Sequence, residues 1–138
     1  MNKQYLLFIG ILLIGFSTWA QKLTCADFKN GTFIVPKESA DSQDYQLIRT
    51  RNSQIEVFET AGQKLTVYGT IEWINDCSYR LKYDGTKMEI TEELKFVNDN
   101  GGIITEMIKI EDKCFYYKSV LIIDGKEAYR IDGSFCKK

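Results

Sequence analysis

Apolar and polar residues alternate with a period of two along most of this chain, and that period predicts β-strands with one buried face. The alternation is clearest at residues 65–73 and 77–83, where the odd-numbered positions carry apolar residues or glycine. The connection Ile74-Asn75-Asp76 between them suits a hairpin. Strand signals of the same kind recur at residues 31–35, 45–51, 54–60, 94–97, 102–110, 113–122 and 127–135.

Turn-forming residues separate most of these segments, with Asp84-Gly85 and Asp124-Gly125 as clear examples. The pattern predicts an all-β domain, an antiparallel meander of eight or nine strands. A sandwich and a small, lipocalin-like barrel both fit, and a barrel removes the exposed sheet edges. The exception is residues 90–97, where Thr91 is a candidate N-cap for a single helical turn that competes with the strand at 94–97.

The first twenty residues have the pattern of a cleavable secretory signal. Lys3 precedes an apolar run from Leu6 to Phe16 that is too short to span a bilayer. Thr18 and Ala20 then supply the small residues that signal peptidase reads, so residues 1–20 are predicted to form a signal helix. We expect export to the periplasm, the cell surface or the medium. A retained anchor and lipidation of Cys25 are the alternatives, and the charge of Lys22 disfavours the second.

Residues 21–138 contain no linker, repeat or low-complexity tract and therefore predict one domain. Because Lys3 leaves with the signal, 17 basic residues face 19 acidic ones, a formal net charge of −2. The chain has no basic stripe, so nucleic acid is not an expected partner. We expect a monomer that keeps no membrane span after cleavage.

The four cysteines, Cys25, Cys77, Cys114 and Cys136, predict two disulfides in an oxidising compartment. Their separations of 52, 37 and 22 residues do not match a zinc site. If residues 113–122 and 127–136 form a hairpin around Asp124-Gly125-Lys126, with Ile123 opposite Glu127, Cys114 faces Cys136. Cys25 then pairs with Cys77.

A competing pattern joins Cys25 to Cys136 and Cys77 to Cys114. It stays open at this point because closing a barrel makes the first and last strands neighbours.

Histidine is absent, which removes the commonest general base at neutral pH. The remaining candidates for acid–base chemistry sit at predicted turns or strand ends, where carboxylates are ordinarily solvated: Glu92, Glu93, Glu111, Asp112 and Asp124. We therefore predict no catalytic, metal-binding or cofactor-binding residues and no enzyme. A small carboxylate-dependent hydrolase and an inhibitor or interaction protein are the alternative functions.

Aromatic residues are the other candidates for a site. A barrel of about eight strands has room for core side chains or for one small ligand. The candidate lining residues are Phe33, Trp73, Tyr79, Phe115, Tyr117 and Tyr129. The expected function is a binding or structural module of the cell envelope, with a small apolar ligand or an envelope protein as its partner.

Two motifs carry a family resemblance, C-x-D-F-K-x-G-x-F from Cys25 to Phe33 and W-x-x-D-C-x-Y-x-L from Trp73 to Leu81. They resemble a family of small exported bacterial proteins without assigned activity. The resemblance implies a lipocalin-like fold and a bridge between the two shared cysteines, Cys25 and Cys77. Gly31-Thr32-Phe33 is similar to the G-x-W opening of lipocalins, with Phe in place of Trp.

Some members of that family carry the name topoisomerase IV. This small acidic domain has no nucleotide site, basic groove or catalytic tyrosine context for that activity.

Overall fold

The computed structural model describes residues 21–138, so the predicted signal at residues 1–20 lies outside the described residues. A 3₁₀ turn, Cys25–Phe28, precedes the first strand, and one helix, α1, spans Glu92–Asp99. The strands are β1 Gly31–Val35, β2 Tyr45–Thr50, β3 Ser53–Thr60, β4 Gln63–Asn75, β5 Ser78–Tyr83, β6 Ile103–Glu111, β7 Cys114–Ile123 and β8 Lys126–Lys137.

Each strand pairs antiparallel with the next, and β8 pairs with β1, so the sheet closes into a barrel. This confirms the all-β meander and decides for the barrel over the sandwich. The prediction of a ninth strand at residues 94–97 was wrong, because this segment belongs to α1. The Thr91 hydroxyl caps the helix by accepting from the Leu94 N–H at 3.4 Å, as predicted.

Because successive strands run in opposite directions, their connections alternate between two ends of the barrel. At the closed end lie the 3₁₀ turn, the β2–β3, β4–β5 and β6–β7 turns, and the end of β8. At the open end lie the β1–β2 loop, the β3–β4 turn, α1 and the β7–β8 turn. The two ends differ in how they are packed.

Four phenylalanines seal the closed end. Phe28, Phe33, Phe115 and Phe135 are the largest fully buried side chains among the described residues. The 3₁₀ turn inserts Phe28 so that its ring centroid lies 5.4–5.8 Å from those of the other three. Contacts of this kind between aromatic rings stabilise beyond the area they bury.

Both disulfides lie at the closed end. Cys25 is bonded to Cys77 with a Cα–Cα distance of 5.3 Å, and Cys114 to Cys136 with 4.0 Å. The predicted pairing is thus confirmed, and the competing pattern is excluded. Cys25–Cys77 ties the 3₁₀ turn to the β4–β5 turn, while Cys114–Cys136 joins two strands that already pair.

The last hairpin has the predicted register over most of its length. Cys114 faces Cys136, and the series continues to Leu121 opposite Tyr129. A bulge then shifts the register by one residue, so Ile123 faces Lys126 instead of the predicted Glu127. The cause is a tight two-residue turn, because Asp124 (φ 51°) and Gly125 (φ 75°) both take left-handed conformations.

The ring is joined only weakly between β1 and β8. Two residue pairs form this seam, Phe33 with Lys137 and Ile34 with Cys136, and both lie toward the closed end. β1 ends at Val35, since Pro36 has no N–H to donate. Beyond that point β8 pairs with β7 alone, and the barrel wall is incomplete at the open end.

Candidate functional site

A cavity of about 280 Å³ occupies the barrel interior beyond the phenylalanine layer. Its lining combines apolar side chains with a set of polar ones contributed by β2, β3, β5, β6 and β7. The polar members include Tyr45, Gln54, Glu56, Thr105, Tyr117 and Ser119. Such a mixture of apolar wall and a few placed polar groups is typical of a small-molecule site.

A wider space of about 660 Å³, the mouth, lies between α1 and the β7–β8 hairpin. Four residues line both spaces, so the cavity and the mouth adjoin each other: Tyr83, Ile103, Ser119 and Ile131. The mouth leaves large apolar side chains in water, with Phe96 47%, Tyr129 64% and Ile131 60% exposed. Exposed apolar groups clustered at a cavity entrance mark a binding surface.

A series of hydrogen-bonded polar side chains lies between the cavity and the closed-end core. Arg49 is 2% exposed and donates from Nε and Nη2 to Oε1 of Gln54, at 3.0 and 2.8 Å. Gln54 in turn donates from Nε2 to Oε1 of Glu56 at 2.8 Å. The strands place these residues together because Arg49 pairs with Gln54 across the β2–β3 hairpin, and Leu47 pairs with Glu56.

The remaining contacts of Arg49 are also with groups of the protein itself. Nη1 donates to the Phe28 carbonyl at 3.2 Å, and Nη2 also donates to the Tyr79 hydroxyl. The guanidinium carbon lies 4.4 Å from the Tyr79 ring centroid and 4.5 Å from that of Phe135. Ring faces and hydrogen bonds together satisfy a buried cation that would otherwise be costly.

Burial dominates the acid–base properties of the cavity. It raises the pKa of the Glu56 carboxyl above its ordinary value of 4.5, while the Gln54 hydrogen bond and the Arg49 charge oppose the rise. Burial also raises the phenol pKa of Tyr45, Tyr83 and Tyr117, so all three keep their protons at neutral pH. The cavity therefore presents neutral phenol hydroxyls beside the carboxyl groups of Glu38 and Glu56.

The six aromatic residues predicted to line a pocket divide between different places. Tyr79 and Tyr117 line the cavity, and Tyr129 lines the mouth. Phe33 and Phe115 lie in the closed-end core instead, in contact with Phe28.

The sixth, Trp73, lies against Tyr79 with ring centroids 5.2 Å apart. Its Nε1 donates to the Arg51 carbonyl at 2.6 Å. The indole thus supports the ring of Tyr79 from outside the cavity lining.

The interior polar residues Arg49, Gln54 and Glu56 were not predicted from the sequence. The alternation did contain a signal for them. Arg49 lies two residues from Leu47 and so points to the same, inward face. The short β2–β3 turn pairs Gln54 with Arg49 and Glu56 with Leu47, so these two side chains point inward as well. Their charge and polarity would normally assign them to the solvent face. Strand phase is therefore a better guide here than polarity.

The carboxylates considered for catalysis are distributed over both ends. Glu92 and Glu93 begin α1 and line the mouth, Asp124 lies in the β7–β8 turn, and Glu111-Asp112 lie at the opposite, closed end. Backbone and Thr91 hydrogen bonds lower the pKa of Glu93, the opposite of what a general acid needs.

Residues 21–138 contain no cluster of three or more His, Cys, Asp or Glu side chains suited to a metal ion. In the same part of the chain, no helix is long and apolar enough to cross a membrane.

Fold and site together define a small closed antiparallel barrel with an internal cavity and an apolar mouth beside it at one end. No protein-family model, curated protein or solved structure matches this chain. The resemblance to exported lipocalin-like proteins thus stays a prediction from the two sequence motifs.

Proposed function

We propose that this domain is an exported carrier that holds a small amphipathic ligand inside its barrel. The observation that carries the proposal is that the cavity adjoins the exposed apolar mouth through four shared lining residues. A cavity without an entrance would be a packing defect, and a mouth without a cavity would be a surface patch. Side by side, the mouth offers an approach for a ligand and the cavity offers a place to hold it.

The division of the molecule into two ends supports the same function. The fully buried phenylalanines and both disulfides lie away from the mouth. Of these phenylalanines, Phe135 also lines the cavity, whereas Phe28, Phe33 and Phe115 do not. Most of the stabilising contacts thus lie away from the mouth, so the open end can expose Phe96, Tyr129 and Ile131. Two disulfides are also compatible with an oxidising, extracytoplasmic location.

Blocking the path from mouth to cavity is the direct test. Ile131 lines both spaces and is 60% exposed, so Ile131→Trp adds bulk there at little cost to folding. The affinity for an uncharged, environment-sensitive fluorescent probe should fall by at least about tenfold. Native mass spectrometry of protein purified from its own host should show a bound small molecule that this variant loses.

Arg130→Trp is the matched control, because the neighbouring residue points to the other face of β8 and pairs with exposed Asp132. It adds the same side chain to the outer wall and should bind the probe as the parent protein does. Equal probe binding by the parent and the Ile131→Trp variant would contradict the proposal.

A further inference from the structure

The charged side chains that line the cavity and its mouth all have one sign. Four carboxylate residues line these spaces: Glu38 and Glu56 for the cavity, and Glu92 and Glu93 for the mouth. No lysine or arginine of residues 21–138 lines either space. Side chains of this sign favour a cationic ligand over an anionic one.

Arg49 does not change this sign for a ligand. Its guanidinium is 2% exposed, lies against two aromatic rings and donates to Gln54, Phe28 and Tyr79. A carboxylate ligand would have to displace these partners to form the usual bidentate pair. The arginine thus holds the floor of the cavity together and is not an anion receptor.

The Glu56 carboxyl group, in contrast, has an oxygen that can accept a hydrogen bond from a ligand. Its Oε1 accepts from Gln54, and no other hydrogen bond to its carboxyl group is present among the described residues. Tyr45, Tyr83 and Tyr117 line the same space, and aromatic rings of this kind attract a nearby cation. The burial that raises the Glu56 pKa is the cost that a bound positive charge would offset.

We propose that the ligand is an amphipathic amine, whose protonated nitrogen lies against Glu56 and whose apolar chain extends into the mouth. This inference rests on the proposed carrier function and adds the chemistry of the head group. It separates this barrel from a fatty-acid carrier, in which a basic side chain would face the cavity.

Three probes with the same chain and different head groups test the inference: decylamine, decanol and decanoate. Each displaces the uncharged fluorescent probe from the oxidised protein in a titration at neutral pH. Decylamine should bind at least about tenfold more tightly than decanol, and decanoate should bind more weakly than decanol. Decanoate binding as tight as decylamine would overturn the inference and leave the carrier function standing. Failure of all three to bind would overturn both.

Glu56→Gln then assigns the preference to one residue, because the new amide oxygen can still accept from Gln54 while the negative charge is lost. The advantage of decylamine over decanol should disappear, with decanol affinity unchanged. Glu72→Gln, which removes an exposed carboxylate from β4, is the control and should keep the full preference. A preference that survives Glu56→Gln would overturn the role of this carboxylate.

Discussion

The closed end and the open end of this barrel are built from the same kinds of residue and use them in opposite ways. At the closed end, aromatic side chains are fully buried among one another, and two covalent bridges fix the chain around them. At the open end, Tyr129 and Ile131 hold equivalent inward positions on β8 and are more exposed than buried.

The contrast shows how a small domain can tolerate an unfilled interior. A chain of this size buries a limited core, so an exposed apolar mouth removes part of the stabilisation it could have had. The disulfides compensate by restricting the unfolded chain, without filling the cavity. Stability and binding are thus assigned to different ends of one sheet.

The largest effect should come from the phenylalanine that seals the closed end. Phe28→Ala removes a fully buried ring and should lower the free energy of unfolding by about 3–5 kcal/mol. Phe96→Ala removes the same ring at the open end, where it is 47% exposed, and should cost less than half as much. Urea unfolding of both variants measures the difference. Equal losses would show that the two ends are equally packed.

The two disulfides should differ in the same experiment. On the loop-closure model, bridges with sequence separations of 52 and 22 contribute about 4 and about 3 kcal/mol. Replacing Cys25 and Cys77 together with alanine should therefore lower Tm more than replacing Cys114 and Cys136. The second bridge joins strands that the β7–β8 ladder already holds. A larger loss of Tm on removing Cys114–Cys136 would contradict this prediction. It would mean that this bridge stabilises the β1–β8 seam more than Cys25–Cys77 stabilises the 3₁₀ turn.

A smaller effect should depend on pH and report on the cavity. Burial raises the Glu56 pKa above 4.5, so well below pH 4.5 the group is neutral in both the folded and unfolded states. As the pH rises past 4.5, the unfolded chain loses the proton first, and the folded state loses stability until the pH exceeds the folded pKa. Glu56→Gln lacks this loss and should gain stability relative to the parent across that window.

Thermal unfolding at a series of pH values checks this, with the exposed-site variant Glu72→Gln as the control. The difference between parent and Glu56→Gln should grow with pH and then level off, while Glu72→Gln should track the parent. A difference that does not change with pH would show that the carboxyl group is solvated in the folded state.

Much of the architecture could be predicted because strand periodicity and turn residues are local signals. A three-residue turn at Asp124-Gly125-Lys126, together with the phase of Cys114, placed Cys136 opposite it. The pairing is correct because the bulge adds the residue that the real two-residue turn leaves out. The bulge beside Leu121 could not be predicted in the same way, since one extra residue changes the register without altering the alternation on either side.

The site was less accessible to prediction than the fold. The 3₁₀ turn inserts Phe28 at one end and thereby decides which aromatic residues fill the core and which line the cavity. This turn has no periodic signature in the sequence. Tyr117 and Phe115 share one strand and one phase, yet one lines the cavity and the other is core. Depth along the barrel axis separates them, and a pattern with period two does not encode depth.

The β1–β8 seam also bears on how the molecule folds. Every other seam joins strands that are consecutive in sequence, so seven hairpin-like contacts can form with little loss of chain entropy. The remaining seam joins opposite ends of the domain through only two residue pairs, and the entropy of closing so long a loop must be offset by those few contacts. Ring closure is therefore the expected slow step, and the same seam is where the native barrel should first come apart.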